Sequence, residues 1–182
     1  MTTLIRPATE RDWDVLWPIF RAVVAAGDSY AYPEDLDTDA AAALWLEQPP
    51  GLTVVAIDPE PEGNEPHRVV GTAKMGPNRP GRGSHVATAS FMVDPTSRRR
   101  GVGRALGRYV VLWARNAGYH AIQFNAVVET NTAALALWDE LGFRVVGTVP
   151  EAFDHAEHGL VGLHVMHLDL TAPVIALTAD EV

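Results

Sequence analysis

The sequence predicts an α/β (α+β) domain: a mixed central sheet of about six or seven strands flanked by about four helices. Short β-branched runs such as Leu52-Thr53-Val54-Val55-Ala56-Ile57 alternate with stretches whose apolar residues recur every three to four positions. Strand candidates over 52–57, 69–75 and 85–93 are joined by turn-rich segments, as antiparallel neighbours are. A helix-patterned stretch then links the strand ending at Val93 to one starting at Ala121, so those two should be parallel, through a right-handed crossover.

Taken in order, Leu4-Ile5-Arg6 is a short strand stopped by Pro7. Thr9 can cap a helix carrying Trp13, Leu16, Trp17, Phe20 and Val24, which Pro18 should kink into two segments before the stop at Gly27-Asp28. Asp28 to Glu34 is an aromatic, proline-containing loop; Tyr30 and Tyr32 either line a pocket for a small polar substrate or pack on the helix ends. Thr38 to Gln48 is an alanine-rich helix closed by Pro49-Pro50-Gly51. Asp58 to His67 reads as a surface loop.

After the strand at 85–93, a helix from Gly101 to Ala117 carries Val102, Leu106, Val110, Trp113 and Ala117 on one face and stops at Gly118. Ala121 to Val128 is a strand. Thr130 or Asn131 caps a helix over Ala133 to Leu141, whose Ala134, Leu137, Trp138 and Leu141 face inward. Phe143 to Thr148 starts a further strand. A loop with Glu151, Phe153, Asp154, His155 and His158 follows, and Leu163 to Leu170 is the last strand. The tail from Thr171 is apolar enough to pack or to pair with another chain.

The 182 residues are most simply one domain, residues 1–182. No apolar run approaches the ~20 residues of a membrane span, and the N-terminus shows no signal-peptide pattern, so a cytoplasmic protein without a membrane partner is expected. The absence of cysteine excludes disulfides, thiolate metal sites and an acyl-cysteine intermediate. A net charge of −9 argues against a nucleic-acid partner.

Against that acidic background Arg98-Arg99-Arg100-Gly101-Val102-Gly103-Arg104-Ala105 is a local exception. It lies between a strand and a helix, where glycines admit a ligand to the backbone, the first helical N–H groups point outward and the helix dipole is positive. This is a cradle for an anionic, phosphate-rich ligand.

The segment 98–103 fits the Arg/Gln-x-x-Gly-x-Gly/Ala pattern of the GNAT superfamily of N-acetyltransferases, and Asn131 to Phe143 resembles that family's Asn-x-x-Ala…Gly-Phe block. With the element order, the chain resembles this superfamily over about residues 3–170. The resemblance implies the GNAT fold and acetyl-CoA as cofactor. Backbone groups of Phe91, Met92 and Val93 would pair with the pantetheine arm and stabilise an oxyanion, amides from Arg99 to Ala105 would hold the pyrophosphate, and Asn131 would bond the cofactor near its acetyl end. Trp138 occupies the place of a tyrosine acid in many relatives, and indole cannot serve as that acid. A homodimer is the superfamily default.

More narrowly, Phe124 to Asn131, with Gly27 to Tyr32 and His85 to Phe91, looks like fungal enzymes that acetylate proline analogues such as azetidine-2-carboxylate. There Asn125 would hold the substrate or acetyl group beside Tyr30, Tyr32 and Thr88, although Thr88 replaces an expected asparagine. The acceptor would be a small-molecule amine that attacks the thioester directly. Glu129 is a candidate base or a solvated strand end, and His85 and Asp154 are further candidates.

Other readings are acetylation of a protein N-terminus or lysine, a catalytically inactive acyl-CoA sensor, and a dinucleotide-binding protein, although the Gly-x-Gly-x-x-x-Gly spacing differs from the Rossmann one. His155, His158, His164 and His167 suggest no metal site, because 164 and 167 point to opposite faces of a strand.

Overall fold

The computed structural model describes residues 3–58 and 68–171. The expected loop beyond Asp58 and the apolar tail beyond Thr171 lie outside the described residues. The elements are β1 (Leu4–Pro7), α1 (Trp13–Ala25), α2 (Thr38–Trp45), β2 (Leu52–Ile57), β3 (Val69–Pro77), β4 (Val86–Val93), α3 (Val102–Asn116), β5 (Ala121–Val128), α4 (Thr132–Glu140), β6 (Arg144–His155) and β7 (Gly159–Asp169). Their order is the one expected. The strands form one seven-stranded sheet, β1-β2-β3-β4-β5-β7-β6. Every neighbouring pair is antiparallel except β4 and β5, which are parallel.

The sheet separates two apolar cores. Val54 and Ala56 of β2 face the first, with Leu106, Val110 and Ala114 of α3 and Trp138 of α4. Val55 and Ile57 face the second, with Leu16, Phe20 and Val23 of α1 and Trp45 of α2. An unbroken apolar run is therefore what β2 requires, since successive side chains enter opposite cores.

Three expectations are corrected. Pro18 does not divide α1, which is continuous from Trp13 to Ala25. An interior proline costs about 3 kcal/mol, whereas burying each large apolar side chain contributes roughly 1.5–3 kcal/mol, and α1 buries Trp13, Leu16, Ile19, Phe20, Val23 and Val24. The inner stripe of α3 ends at Ala114, while Ala117 is exposed beyond the last turn. Finally, the expected loop around Glu151 to His158 is mostly strand, because β6 and β7 form one long hairpin. A register shift between Val149 and Phe153 absorbs Pro150 and Glu151, the latter at φ 51.

Asp12 fastens β1 to the start of α1. Its carboxylate accepts two bonds from the Arg6 guanidinium, at 2.8 and 2.7 Å, and the Thr9 N–H and O–H at 2.7 and 2.8 Å. The Arg6 bonds, aided by those from Thr9, hold this carboxyl well below the usual carboxylate range against the opposing effect of burial. A depressed folded-state pKa gives stabilisation that is complete above the unfolded value, near 3.9, and is lost as pH falls below it. Asp12→Ala should therefore cost about 1–3 kcal/mol at pH 7. Urea denaturation should show the gap between wild type and variant closing as pH falls below about 4.

Candidate active site

β4 and β5 pair at only two positions, Val86 with Ala121 and Ala87 with Ile122, and then separate. The backbone parity of β4 decides which groups the separation exposes. Asn78 N–H donates to Val86 and Asp94 N–H to Val70, so even-numbered residues of β4 bond to β3. On the other edge His120 N–H donates to His85, which places odd-numbered residues towards β5. Beyond Ala87 the backbone groups of Ala89, Phe91 and Val93 therefore face a gap. Met92 also lines the cleft that opens there, but one part of the expectation is corrected: its backbone faces β3, and its side chain is buried in the core with α1.

The gap opens into a cleft of about 950 Å³, at the upper end of the range for small-molecule sites. The arginine-glycine turn forms one end. Arg99 has φ 64 and Gly101 φ 81, and this double excursion into left-handed backbone turns the chain sharply into α3. Gly101 takes it without penalty, having no Cβ. The first helical bond is Ala105 N–H to Gly101 C=O at 3.0 Å. Ala105 is thus excluded from the expected set of outward donors. The N–H groups of Val102 and Gly103 precede it and lack intrahelical acceptors.

The arginines do not act alike. Arg100 is a second correction, since its guanidinium bonds the buried Asp58 carboxylate at 2.8 Å and it does not line the cleft. Arg98 and Arg99 line the cleft, with Arg98 3.9 Å from Asp28. Arg104 also lines it and bonds Glu140 at 2.6 Å. Beside them Ser97, only 1 % exposed, keeps a buried hydroxyl without a hydrogen-bond partner. A buried orphan hydroxyl, outward helical N–H groups and two arginines match the donors that a pyrophosphate requires.

Aromatic rings make the floor. Trp138 is buried, with ring centroids 4.7 Å from Phe91 and 4.8 Å from Phe124. Asn131 lines the cleft, and its Oδ1 accepts the Ala134 N–H at 3.1 Å, capping α4; capping uses the oxygen and not the amide nitrogen.

At the far end the structure brings together Tyr30, Tyr32, Thr88 and Asn125. The tyrosines both line the cleft and pack: their rings stack at 5.5 Å, and Tyr32 stacks on Phe20 at 5.6 Å. Tyr30 Oη accepts the Phe91 N–H at 2.8 Å and donates to the Phe91 C=O at 2.7 Å. Burial pushes its phenol pKa up, so it is a neutral hydroxyl. Asn125 sits where β5 slips register against β7; it accepts from Gln123 at 2.8 Å and donates to Asn78 at 2.7 Å.

Glu129 stands apart from the cleft lining. Its N–H and carboxylate bond the backbone of Gly162 on β7, which is the strand-end reading. His85 and Asp154 do not line the cleft either. Sequence reasoning missed Ser97, Asp28, Phe153 and Leu163 in the lining. Ser97 adjoins the arginines and was within reach of motif reading; Phe153 and Leu163 enter only through the long hairpin. Among the described residues no group of three or more His, Cys, Asp or Glu is placed to hold a metal, and no helix is long and apolar enough to cross a membrane.

This arrangement has known counterparts. The sequence model of the acetyltransferase (GNAT) family matches residues 13–143, and the chain belongs to that family. A GCN5-related N-acetyltransferase from Kribbella flavida is 52% identical, with a TM-score of 0.87 over 93% of this chain and 98% of that one. The putative acetyltransferase yncA from Salmonella typhimurium, solved with its cofactor acetyl-CoA, is 25% identical, with a TM-score of 0.74 over 98% of this chain and 99% of its own. N-acetyltransferase aca1 of Schizosaccharomyces pombe is 34% identical over 84 residues, 46% of this chain and 40% of aca1. The chain thus aligns with less than half the length of that curated relative. Acetyl-CoA is the cofactor of the family, and the groups described above fit its phosphates and its extended arm.

The floor depends on close helix packing. A Cβ on Gly107 of α3 would lie 2.7 Å from Leu141 Cδ1 and 3.1 Å from Trp138 Cζ3. Gly107→Val should therefore cost about 1–3 kcal/mol by overpacking. Thermal melts would register the loss, and ligand titration should show weakened acetyl-CoA binding because Trp138 is displaced.

Proposed function

We propose that this chain transfers the acetyl group of acetyl-CoA to the amine of a small molecule, an amino acid or an analogue, by direct attack in a ternary complex. The supporting observation is the polarity of the cleft. Its charged lining residues, Asp28, Arg98, Arg99 and Arg104, gather at the α3 end, whereas Tyr30, Tyr32, Thr88, Ser90 and Asn125 make the other end polar and uncharged. A low-dielectric pocket without a carboxylate favours the neutral form of an amine, the form that carries a nucleophilic lone pair.

Acetyl-CoA supplies an activated thioester carbonyl. In this reading Val102 and Gly103 amides, Ser97 and the arginines hold the phosphates, and the Val93 edge of β4 pairs with the pantetheine arm. Phe91 N–H and Asn131 Nδ2 serve the acetyl end, where a donor aimed at developing negative charge lowers the barrier. Trp138 packs the floor and supplies no proton. A thiol pKa of ~8.5 makes the departing thiolate stable enough for water to protonate it. Asn125 and Thr88 orient the amine. Glu129, turned to Gly162, is left out of this scheme.

A proline-analogue acceptor is the finer form of the proposal, supported by Asn125 at the acceptor end beside Tyr30, Tyr32 and Thr88. The Ala156 N–H to Gly27 C=O bond, at 3.0 Å, ties the β6–β7 turn to the segment after α1 and favours a compact acceptor over an extended polypeptide. A homodimer and a cytoplasmic setting belong to the same reading. Edge strand β6 exposes Val145, Val146 and Val149, a surface suited to a second copy.

CoA release across a panel of amines and amino acids tests the function. Turnover with compact secondary amines is expected, while tight acetyl-CoA binding without release above hydrolysis would point to a sensor. Gly103→Asp should abolish acetyl-CoA binding in calorimetry without unfolding the chain, because an acidic residue suits a helix N-terminus but repels phosphate. Asn125→Ala should raise the amine KM or lower kcat by roughly 10-fold, the worth of one lost substrate hydrogen bond, with acetyl-CoA affinity nearly intact. Wild-type kinetics would remove Asn125 from the site.

A further inference from the structure

Tyr30 holds groups that the donor needs. Its hydroxyl takes both the N–H and the C=O of Phe91, on the edge of β4 that β5 leaves unpaired. Two residues earlier in the chain, Asp28 lies 3.9 Å from the guanidinium of Arg98 at the phosphate end. Residues 27–32 therefore reach both ends of the donor site, while their beginning is fastened to the β6–β7 turn through Gly27 C=O and Ala156 N–H. The same segment lines the acceptor end.

We infer that Tyr30 and Asp28 latch residues 27–32 across the donor-binding groups, so that an acyl-CoA seats its carbonyl only by displacing the Tyr30 hydroxyl from Phe91. The acceptor end then takes its working shape only after the donor has arrived. This rests on the acetyl-CoA reading above. One amide hydrogen cannot serve a phenol oxygen and an acyl oxygen equally well. The acyl oxygen is present in acetyl-CoA and absent from CoA, so Tyr30 opposes the first and is indifferent to the second. The Asp28–Arg98 contact opposes both, because both ligands carry the phosphates.

Calorimetric titration of the full chain with acetyl-CoA and with CoA separates these effects. Tyr30→Phe keeps the ring stacked on Tyr32 and edge-on to Trp45 and removes only the hydroxyl. It should tighten acetyl-CoA by about 2- to 10-fold, the worth of one hydrogen bond, and leave CoA unchanged. Asp28→Asn should tighten both ligands alike, by about 2-fold as for a half-exposed ion pair, beyond any effect of Asp14→Asn on the exposed face of α1.

An equal shift of both ligands in Tyr30→Phe, no shift, or weaker acetyl-CoA binding overturns the latch. If Tyr30→Phe is too unstable to titrate, Asp28→Asn decides: failure to exceed the Asp14→Asn control, or a shift confined to one ligand, overturns it. A wild-type chain that binds neither ligand refutes the acetyl-CoA reading itself.

Discussion

The early parting of β4 and β5 is the constraint from which the site follows. Strands that stayed paired would satisfy their backbone groups in the ladder and leave no cleft. Here two residue pairs hold the strands together, and the odd-numbered groups of β4 beyond them need other partners. An extended ligand can take the place of a strand along such an edge. The same parting sets α3 and α4 against the cleft, so that a helix N-terminus and an aromatic floor meet around one opening.

The two cores make this opening stable. A sheet covered on both faces can carry a slot through its middle because helices brace it from both sides: α1 and α2 pack on one face, and α3 and α4 pack on the other, where α3 reaches across β3, β4 and β5. Trp138 and Phe91 belong at once to the first core and to the cleft lining. The lining of the cleft and the rigidity of the fold therefore share side chains, as preorganised sites require.

Much of this was readable from local signals. The element order, the parallel pair and the arginine-glycine turn follow from periodicity, glycine placement and capping, each confined to a few neighbouring residues. Position narrows the cap of α4 to Thr130 or Asn131, and the bond from Ala134 N–H assigns it to Asn131. What escaped depends on partners distant in the chain. Whether the backbone of Met92 or that of Phe91 is directed away from β3 is a matter of hydrogen-bond parity, set by register with that strand. Arg100 looks equivalent to Arg99 until Asp58, far back in the chain, claims its guanidinium. Ala105 drops out of the set of outward donors only when the first helical bond, to Gly101, is seen. The long hairpin was obscured by Pro150 and Glu151, which resemble a loop but are accommodated by a slip in register.

Gly107 and Trp138 can be regarded as a single inherited unit. The indole fills the space that a side chain at 107 would need, and Leu141 closes it from the C-cap of α4. A lineage that exchanged the indole for a smaller, proton-donating ring would open room at 107, and one that first enlarged 107 would lose the indole's seat. Positions 107 and 138 should consequently vary together among homologues, so that a change of ring in the cleft floor leaves its trace on the neighbouring helix as well.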